Sequence, residues 1–417
     1  MTLANRIALL VPMVSFAINT AHADSTNALK SNVGSCDAKT YQQLVSCGVT
    51  SSTDIAISVQ TLKSAEGLVG IAEQRLNPEL NADSVHRSGG SESNATLLFP
   101  IRLGGKRDAL IREAKSEAIR VSENAKLDIQ QSRLSFMLGL YRLSQIKREL
   151  GLANETLETY SKIVGQFEGR PALSPEQDVS LSVFRMALAD YRLRVTTLQA
   201  DELGLYRQLT AATGLAKETI ASNLPRPKKD WLQVSSNIDT SESPQVKIAN
   251  ADLQLARSRK DRADSEAWPD LRIGPSVKGV KENGETNTYI GAALSIPLPV
   301  LNRNAAGKSY AEQKVVEAEL TFAQAQRRSN ALRDDLLNRY TQIRESLEKS
   351  LSLDTLKGKH ERIEKQFFKG LVPSALVIEG HRQLFDLEQR RNLSELEAIE
   401  ALGRLLILEN KFSEVTL

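Results

Sequence analysis

The sequence predicts a mainly α-helical chain that also carries four membrane-type β-strands and is built as two copies of one pattern. Three observations carry that prediction. Landmarks recur in the same order, short segments alternate apolar and polar residues, and long proline-free stretches hold a heptad seam.

The duplication organises everything else. A polar, helix-length stretch from Thr53 to Leu80 ends in Pro78-Glu79-Leu80, and another from Ser243 to Leu271 ends in Pro269-Asp270-Leu271. Each is followed by a Gly/Ser/Asn-rich piece, then by TLLFPIRLGGKRDA in the first copy and AALSIPLPVLNRNAAGKSYA in the second. Farther on, QFEGRPALSPEQDV corresponds to QFFKGLVPSALVIE. The organisation read from these landmarks is a segment 1–23, an N-terminal segment 24–52, a first repeat 53–225, a linker 226–242 and a second repeat 243–417.

Four segments read as strands of one apolar face. From Thr286 to Ile296, Ile290, Ala292, Leu294 and Ile296 alternate with Tyr289, Gly291, Ala293 and Ser295. From Asn94 to Arg102, Ala95, Leu97, Phe99 and Ile101 alternate with mostly polar residues, and Leu98 breaks the pattern. Leu271 to Lys278 alternates in the same way, and Leu80 to Arg87 does so more weakly. About ten residues with one apolar face is the length and pattern of a membrane barrel strand.

Long helices follow the strands. No proline occurs from Gly104 to Phe167, and Leu143, Ile146, Leu150, Ala153, Leu157, Tyr160, Val164 and Phe167 are spaced three and four apart in alternation. Such a helix would run about 96 Å, so it needs partners along its length. Leu353, Leu356, His360, Ile363 and Phe367 repeat the spacing in the second copy. Each rod then meets a glycine, Gly169 or Gly370, followed by a proline, which ends the helix and reverses the chain. Return helices are expected over Pro175 to Thr213 and Pro373 to Asn410.

The N-terminus bounds the compartment. Arg6, an apolar run from Ile7 to about Ile18, and Ala21-His22-Ala23 before Asp24 form a secretory signal whose apolar run is too short to span a bilayer. Its removal leaves 53 basic and 51 acidic residues, because only Arg6 is lost from 54 and 51. The resulting charge of +2 gives no case for nucleic acid. Cys36 and Cys47 are the only cysteines. An oxidising compartment suggests a disulfide, but one unbroken helix between them would hold their Cα atoms about 16 Å apart, so the bond requires a bend. The competing reading is a lipid-modified Cys36.

Catalytic types are sparse. There is no His/Cys spacing for zinc, no G-x-S-x-G and no G-x-G-x-x-G, and no motif calls for a cofactor. The stretch around Gly307, Lys308 and Ser309 approaches a phosphate-binding loop but has Asn302 where the first glycine belongs. The many carboxylates lie between heptad positions beside basic residues and read as solvated helix faces. The chain does not read as an enzyme.

In order and in duplicate, SIPLPVLNRNAAGK, the PEL and PDL strand starts and the FEG and FKG tips make the chain resemble the TolC-like outer membrane factor family over about residues 50 to 410. The resemblance implies a trimeric, 12-stranded outer-membrane β-barrel, four strands per chain, continued by a long periplasmic α-helical coiled-coil barrel in a Gram-negative bacterium. It implies a homotrimer in outer-membrane lipid, a periplasmic adaptor docked at the tips and an inner-membrane RND-type pump. The tip residues it points to are Phe167, Gly169, Phe368 and Gly370. PLPVLNRN is similar to the branch serving cobalt-zinc-cadmium and nickel exporters, so the implied function is a passive exit duct, with divalent heavy-metal cations as cargo. A drug-efflux or type I protein-secretion duct shares the architecture, and a periplasmic coiled-coil structural protein is the reading from another class.

Within this picture Asp178 and Glu379 follow the tip glycines, where threefold repetition would build a carboxylate ring that favours cations. A helix-terminal acid offsetting the dipole explains either residue equally well. His360 and His381 flank Gly370 by ten and eleven residues, at similar height on a hairpin. The plain reading has His360 in the seam and His381 exposed, and no metal site. The alternative makes them transient metal ligands on the export path.

Overall fold

The computed structural model describes residues 38–234, 240–350 and 353–412, with only the backbone at 353–357, 359 and 360. The expected signal segment and Cys36 lie outside these residues. Among them no helix is long and apolar enough to cross a membrane.

The chain begins with two short helices, α1 (Tyr41–Ser51) and α2 (Thr53–Glu73), joined at Ser52, whose side chain caps α2 by accepting from the Ile55 N–H. A hairpin follows, β1 (Glu79–Arg87) and β2 (Gly90–Arg102), then α3 (Lys106–Glu168), α4 (Pro175–Thr213) and α5 (Lys217–Ser222). The second copy gives α6 (Pro244–Ser265), β3 (Asp270–Glu282), β4 (Glu285–Ser295), α7 (Ala305–Lys349), α8 (Leu353–Phe368) and α9 (Ser374–Leu408). The long rod of the first copy is a single helix, whereas that of the second is interrupted after Lys349.

The strands form one antiparallel sheet in the order β1-β2-β3-β4, so the two hairpins, far apart in sequence, lie side by side. Both hairpin turns have two residues. Asn283 and Gly284 take positive φ of 50° and 91°, as a type I′ turn needs. The β2–β3 pairing skips Leu97 and Leu98 opposite Pro275 and Gly274. Pro275 has no N–H to give, and a Cβ on Gly274 would lie 1.7 Å from the Leu97 carbonyl oxygen, so only glycine allows this approach.

The helices pack lengthwise: α2 and α6 along α3, α6 on α7, α4 and α9 on α3, and α8 on α9. Leu143, Ile146, Leu150, Ala153, Tyr160 and Val164 are all buried, so the predicted seam is the packing face of α3. Two apolar clusters lie in series along the rods. One gathers α1, the middle of α3 and the C-terminal part of α9 around Met137, Leu140, Tyr340 and Leu402. The other joins the ends of α3 and α4 to α9 around Tyr160, Phe184, Tyr191 and Phe385. Gly48 of α1 presses on Phe136 of α3, where a Cβ would lie 2.1 Å from the ring.

Charged residues link the two clusters. Glu149, Glu388 and Glu395 are buried, against the expectation of solvated faces. Arg142 Nη1 donates to Glu149 Oε1 (2.9 Å), Arg148 Nη2 to Asn392 Oδ1 (2.8 Å), and Asn392 Nδ2 to Glu149 Oε1 (2.9 Å). Residues 223–234 contain no helix or strand and lie across this network. Ser144 Oγ donates to the Pro225 carbonyl, Lys228 N–H to Glu395, and Tyr340 Oη to the Leu232 carbonyl. Thus the buried carboxylates have partners, as burial demands.

Candidate functional site

The sheet separates its residues by parity. One face carries Leu80, Leu97, Phe99, Ile273, Ile290 and Leu294, and on this face Ile290 is 84% exposed and Leu294 62%. The opposite face carries charge. Arg272 Nη1 lies 3.1 Å from Glu79 Oε2, Lys278 pairs with Glu92, and Asn94 Nδ2 donates to Asp83 Oδ1 at 3.2 Å. A water-soluble sheet would hide the first face and show the second. Here the apolar face is bare and the charges pair across strands, the pattern of a barrel wall with lipid outside and water inside. Among the described residues, β1 and β4 each keep an unpaired edge.

At the strand-to-helix junctions both copies use a left-handed residue just before the long helix, Gly105 (φ 72°) and Asn304 (φ 55°). Asn304 N–H donates to Asn302 Oδ1 (2.8 Å), its Nδ2 donates to the Ala263 carbonyl (2.9 Å), and its side chain crosses the space a Cβ on Gly307 would fill. That packing explains the phosphate-loop look-alike. Lys308 Nζ faces Asp264 at 3.5 Å, and its counterpart Lys106 Nζ bonds Asp270 Oδ1 at 2.7 Å.

The two tips meet at the far end of the rods. Phe167 and Phe367 pack on either side of Phe184, with ring centroids 6.4 and 5.8 Å away, while Phe368 is exposed. The counterpart of Phe167 in packing is therefore Phe367, where the FEG and FKG tip motifs pair it with Phe368. The tip glycines also differ. Gly370 takes the left-handed conformation (φ 74°) expected of a helix-ending glycine, but Gly169 stays right-handed (φ −74°). The first tip turns instead through Arg170 to Leu173, and Ser174 and Gln177 restart the chain with a capping box. A cleft of about 680 Å³ opens between the tips, lined by Phe167, Arg170, Phe367, Phe368 and Leu371.

The two acids stand in different settings. Asp178 lies exposed in the first turn of α4, where it complements the helix dipole. Glu379 lies in the second turn of α9, and Arg382 donates to it through two nitrogens (2.7 and 2.9 Å). The Arg382 hydrogen bonds, followed by one from Gln383, hold its carboxyl below the usual range.

His381 corrects the sequence reading. Expected on the surface, it is 2% exposed, with Nδ1 3.1 Å from Thr156 Oγ1, Nε2 3.1 Å from Glu364 Oε1 and its ring 4.9 Å from that of Tyr160. Tyr191 Oη donates to the His381 carbonyl, and burial lifts the Tyr191 hydroxyl to about 12. Both imidazole nitrogens thus face partners within the helix bundle. The His360 side chain lies outside the described residues, and no group of three or more metal-ligating side chains occurs among the described ones. Cys47 is disulfide-bonded, and the non-helical residues 38–40 supply a bend ahead of α1.

The fold is that of the TolC-like outer-membrane channels. An antiparallel sheet of two hairpins, apolar outward, stands on four paired rods that meet at a tip. No family model matches the chain. The chain is 24% identical over 277 residues, 64% of each protein, to the cobalt-zinc-cadmium resistance protein CzcC of Cupriavidus metallidurans, so the match spans a little under two thirds of that relative. In structure it is similar to the open-state MtrE outer membrane channel of Neisseria gonorrhoeae (TM-score 0.69, 13% identity, 89% of each chain covered). It is also similar to the CmeC outer membrane channel of Campylobacter jejuni (TM-score 0.69, 12% identity, 89% of this chain and 85% of that one).

Proposed function

We propose that this chain is the passive outer-membrane exit duct of a tripartite efflux system, that it works as a homotrimer, and that its cargo is divalent heavy-metal cations. The observation that carries the reading is the sheet, with a bare apolar face, paired charges on the other face and two open edges. Open edges cannot remain in lipid, because every unpaired N–H and C=O there costs several kcal/mol. Four strands are too few to close a barrel, and three copies supply twelve, within the range that membrane barrels use. The rods then continue the barrel as a periplasmic tunnel, with the phenylalanine-rich tips as the docking end for an adaptor that leads to an RND-type pump.

The cargo rests on the similarity to a cobalt-zinc-cadmium resistance protein. Asp178 and Glu379, repeated threefold, would give the tip opening its cation preference, with Arg382 partly offsetting Glu379. The test is deletion of the gene, with growth scored against nickel, cobalt, zinc and cadmium beside a panel of antibiotics. Metal sensitivity alone supports the reading. Antibiotic sensitivity alone moves the cargo to drugs and leaves the duct intact.

A further inference from the structure

The two strand-to-helix junctions differ in length and chemistry. From β2 to α3 the chain uses three residues, 103–105, whereas from β4 to α7 it uses nine, 296–304. The longer junction is apolar and displayed: Leu298 is 76% exposed, Val300 75% and Leu301 99%. It is also a formed turn, since Val300 N–H donates to the Leu298 carbonyl (2.9 Å) and Arg303 Nε to the Pro299 carbonyl (3.4 Å). Prolines 297 and 299 restrict the backbone further, so the three side chains are presented rather than loosely tethered.

We propose that this loop is an interfacial lipid anchor that seats its apolar side chains in the inner-leaflet boundary of the membrane. The inference rests on the membrane-sheet reading above and adds a surface that the strands do not include. Three observations favour lipid over a second copy of the chain. Ile290, Ala292 and Leu294 share the lipid-side parity of β4, and the exposed Ile296 and Leu298 follow directly after the strand. A neighbouring copy that completes the sheet would approach the β4 edge along the hydrogen-bonding direction, not this outward face. Trp268, also exposed, stands two residues before β3 with its ring against Gly104, at the junction end of the sheet. An indole with apolar neighbours at the end of a membrane strand marks the bilayer interface.

The test uses the full mature chain with Leu301→Cys or, as reference, Ile290→Cys, each labelled with an environment-sensitive thiol probe. Cys47 is held in a disulfide and does not compete for label. The protein is reconstituted in phosphatidylethanolamine and phosphatidylglycerol vesicles whose acyl chains are brominated near the headgroup or deep in the core. The expected result is strong quenching of the probe at 301 by shallow bromine and weak quenching by deep bromine, with the probe at 290 quenched more deeply. Quenching at 290 and none at 301 overturns the anchor while sparing the membrane sheet. A blue-shifted, unquenched probe at 301 assigns the loop to a second copy and also overturns it. Absence of quenching at both positions sinks the anchor together with the channel reading.

Discussion

The rods gather apolar side chains into two buried clusters, and the sheet displays its apolar side chains on one bare face. Tyr160, Leu140 and Ile399 have no solvent contact, while Ile290, Leu80 and Leu294 stand bare on the strands. A few charges do the reverse. Glu149, Glu388 and Glu395 are buried and bonded inside the helical body, whereas Glu79, Arg272, Glu92 and Lys278 pair openly across the polar face of the sheet. One chain is thus written for two solvents, and the change of rule falls at the proline-marked junctions.

Substitutions that cross that boundary should separate the two regions. The largest effect is expected inside the body. Tyr160→Ala removes a ring packed on Phe184, Tyr191 and His381 and should cost about 3–5 kcal/mol, read as a lower thermal midpoint of the detergent-solubilised protein. Next comes the lipid face. Ile290→Arg should cost about 2–4 kcal/mol and deplete the protein from the membrane fraction, while Tyr289→Arg, on the opposite parity, should assemble normally. Equal effects at 289 and 290 would remove the sidedness of the sheet.

A smaller effect concerns the buried carboxylates. Burial pushes the Glu388 carboxyl above its usual range, and Arg148 only partly reverses this. A raised folded-state pKa means that folding favours the protonated form, so this contribution is present at low pH and lost as pH rises through the raised value. Glu388→Gln keeps the group neutral at every pH. The variant should therefore melt above the parent at neutral and higher pH, and the difference should vanish below about pH 4, the ordinary glutamate range. A variant that melts lower at neutral pH would mean that the Arg148 ion pair outweighs desolvation. The smallest effects lie at the tips. Gly370→Ala, at positive φ, should cost about 1–2 kcal/mol, and Gly169→Ala, already right-handed, close to nothing.

Most of the architecture was legible because it is periodic. Alternation marked the strands and their faces, the three-four spacing marked the buried face of α3, and Pro175 and Thr213 bounded α4 as expected. What escaped depends on contacts between distant segments. Nothing local in Glu388 or Glu395 tells that Arg148 and Lys228, from α3 and the linker, will enclose them. The same holds for His381, whose burial is set by Thr156 on α3 and Glu364 on α8. That Phe367 and not Phe368 packs as the counterpart of Phe167 has a simpler reason. Adjacent residues on a helix point about 100° apart, and only the three-four seam, which does pass through Phe367, distinguishes them. The internal twin of SIPLPVLNRNAAGK identified the junction, but its alignment alone hid the unequal loop lengths that the structure resolves.

The claim on which the rest depends is that the sheet spans lipid as part of a closed assembly of three chains. Fractionation of cells producing the full chain, followed by electrophoresis of unheated and heated samples, tests it most directly. The expected result is an outer-membrane species that runs as a trimer until heated and as a single chain afterwards. A soluble protein that runs as a monomer in both lanes would contradict it.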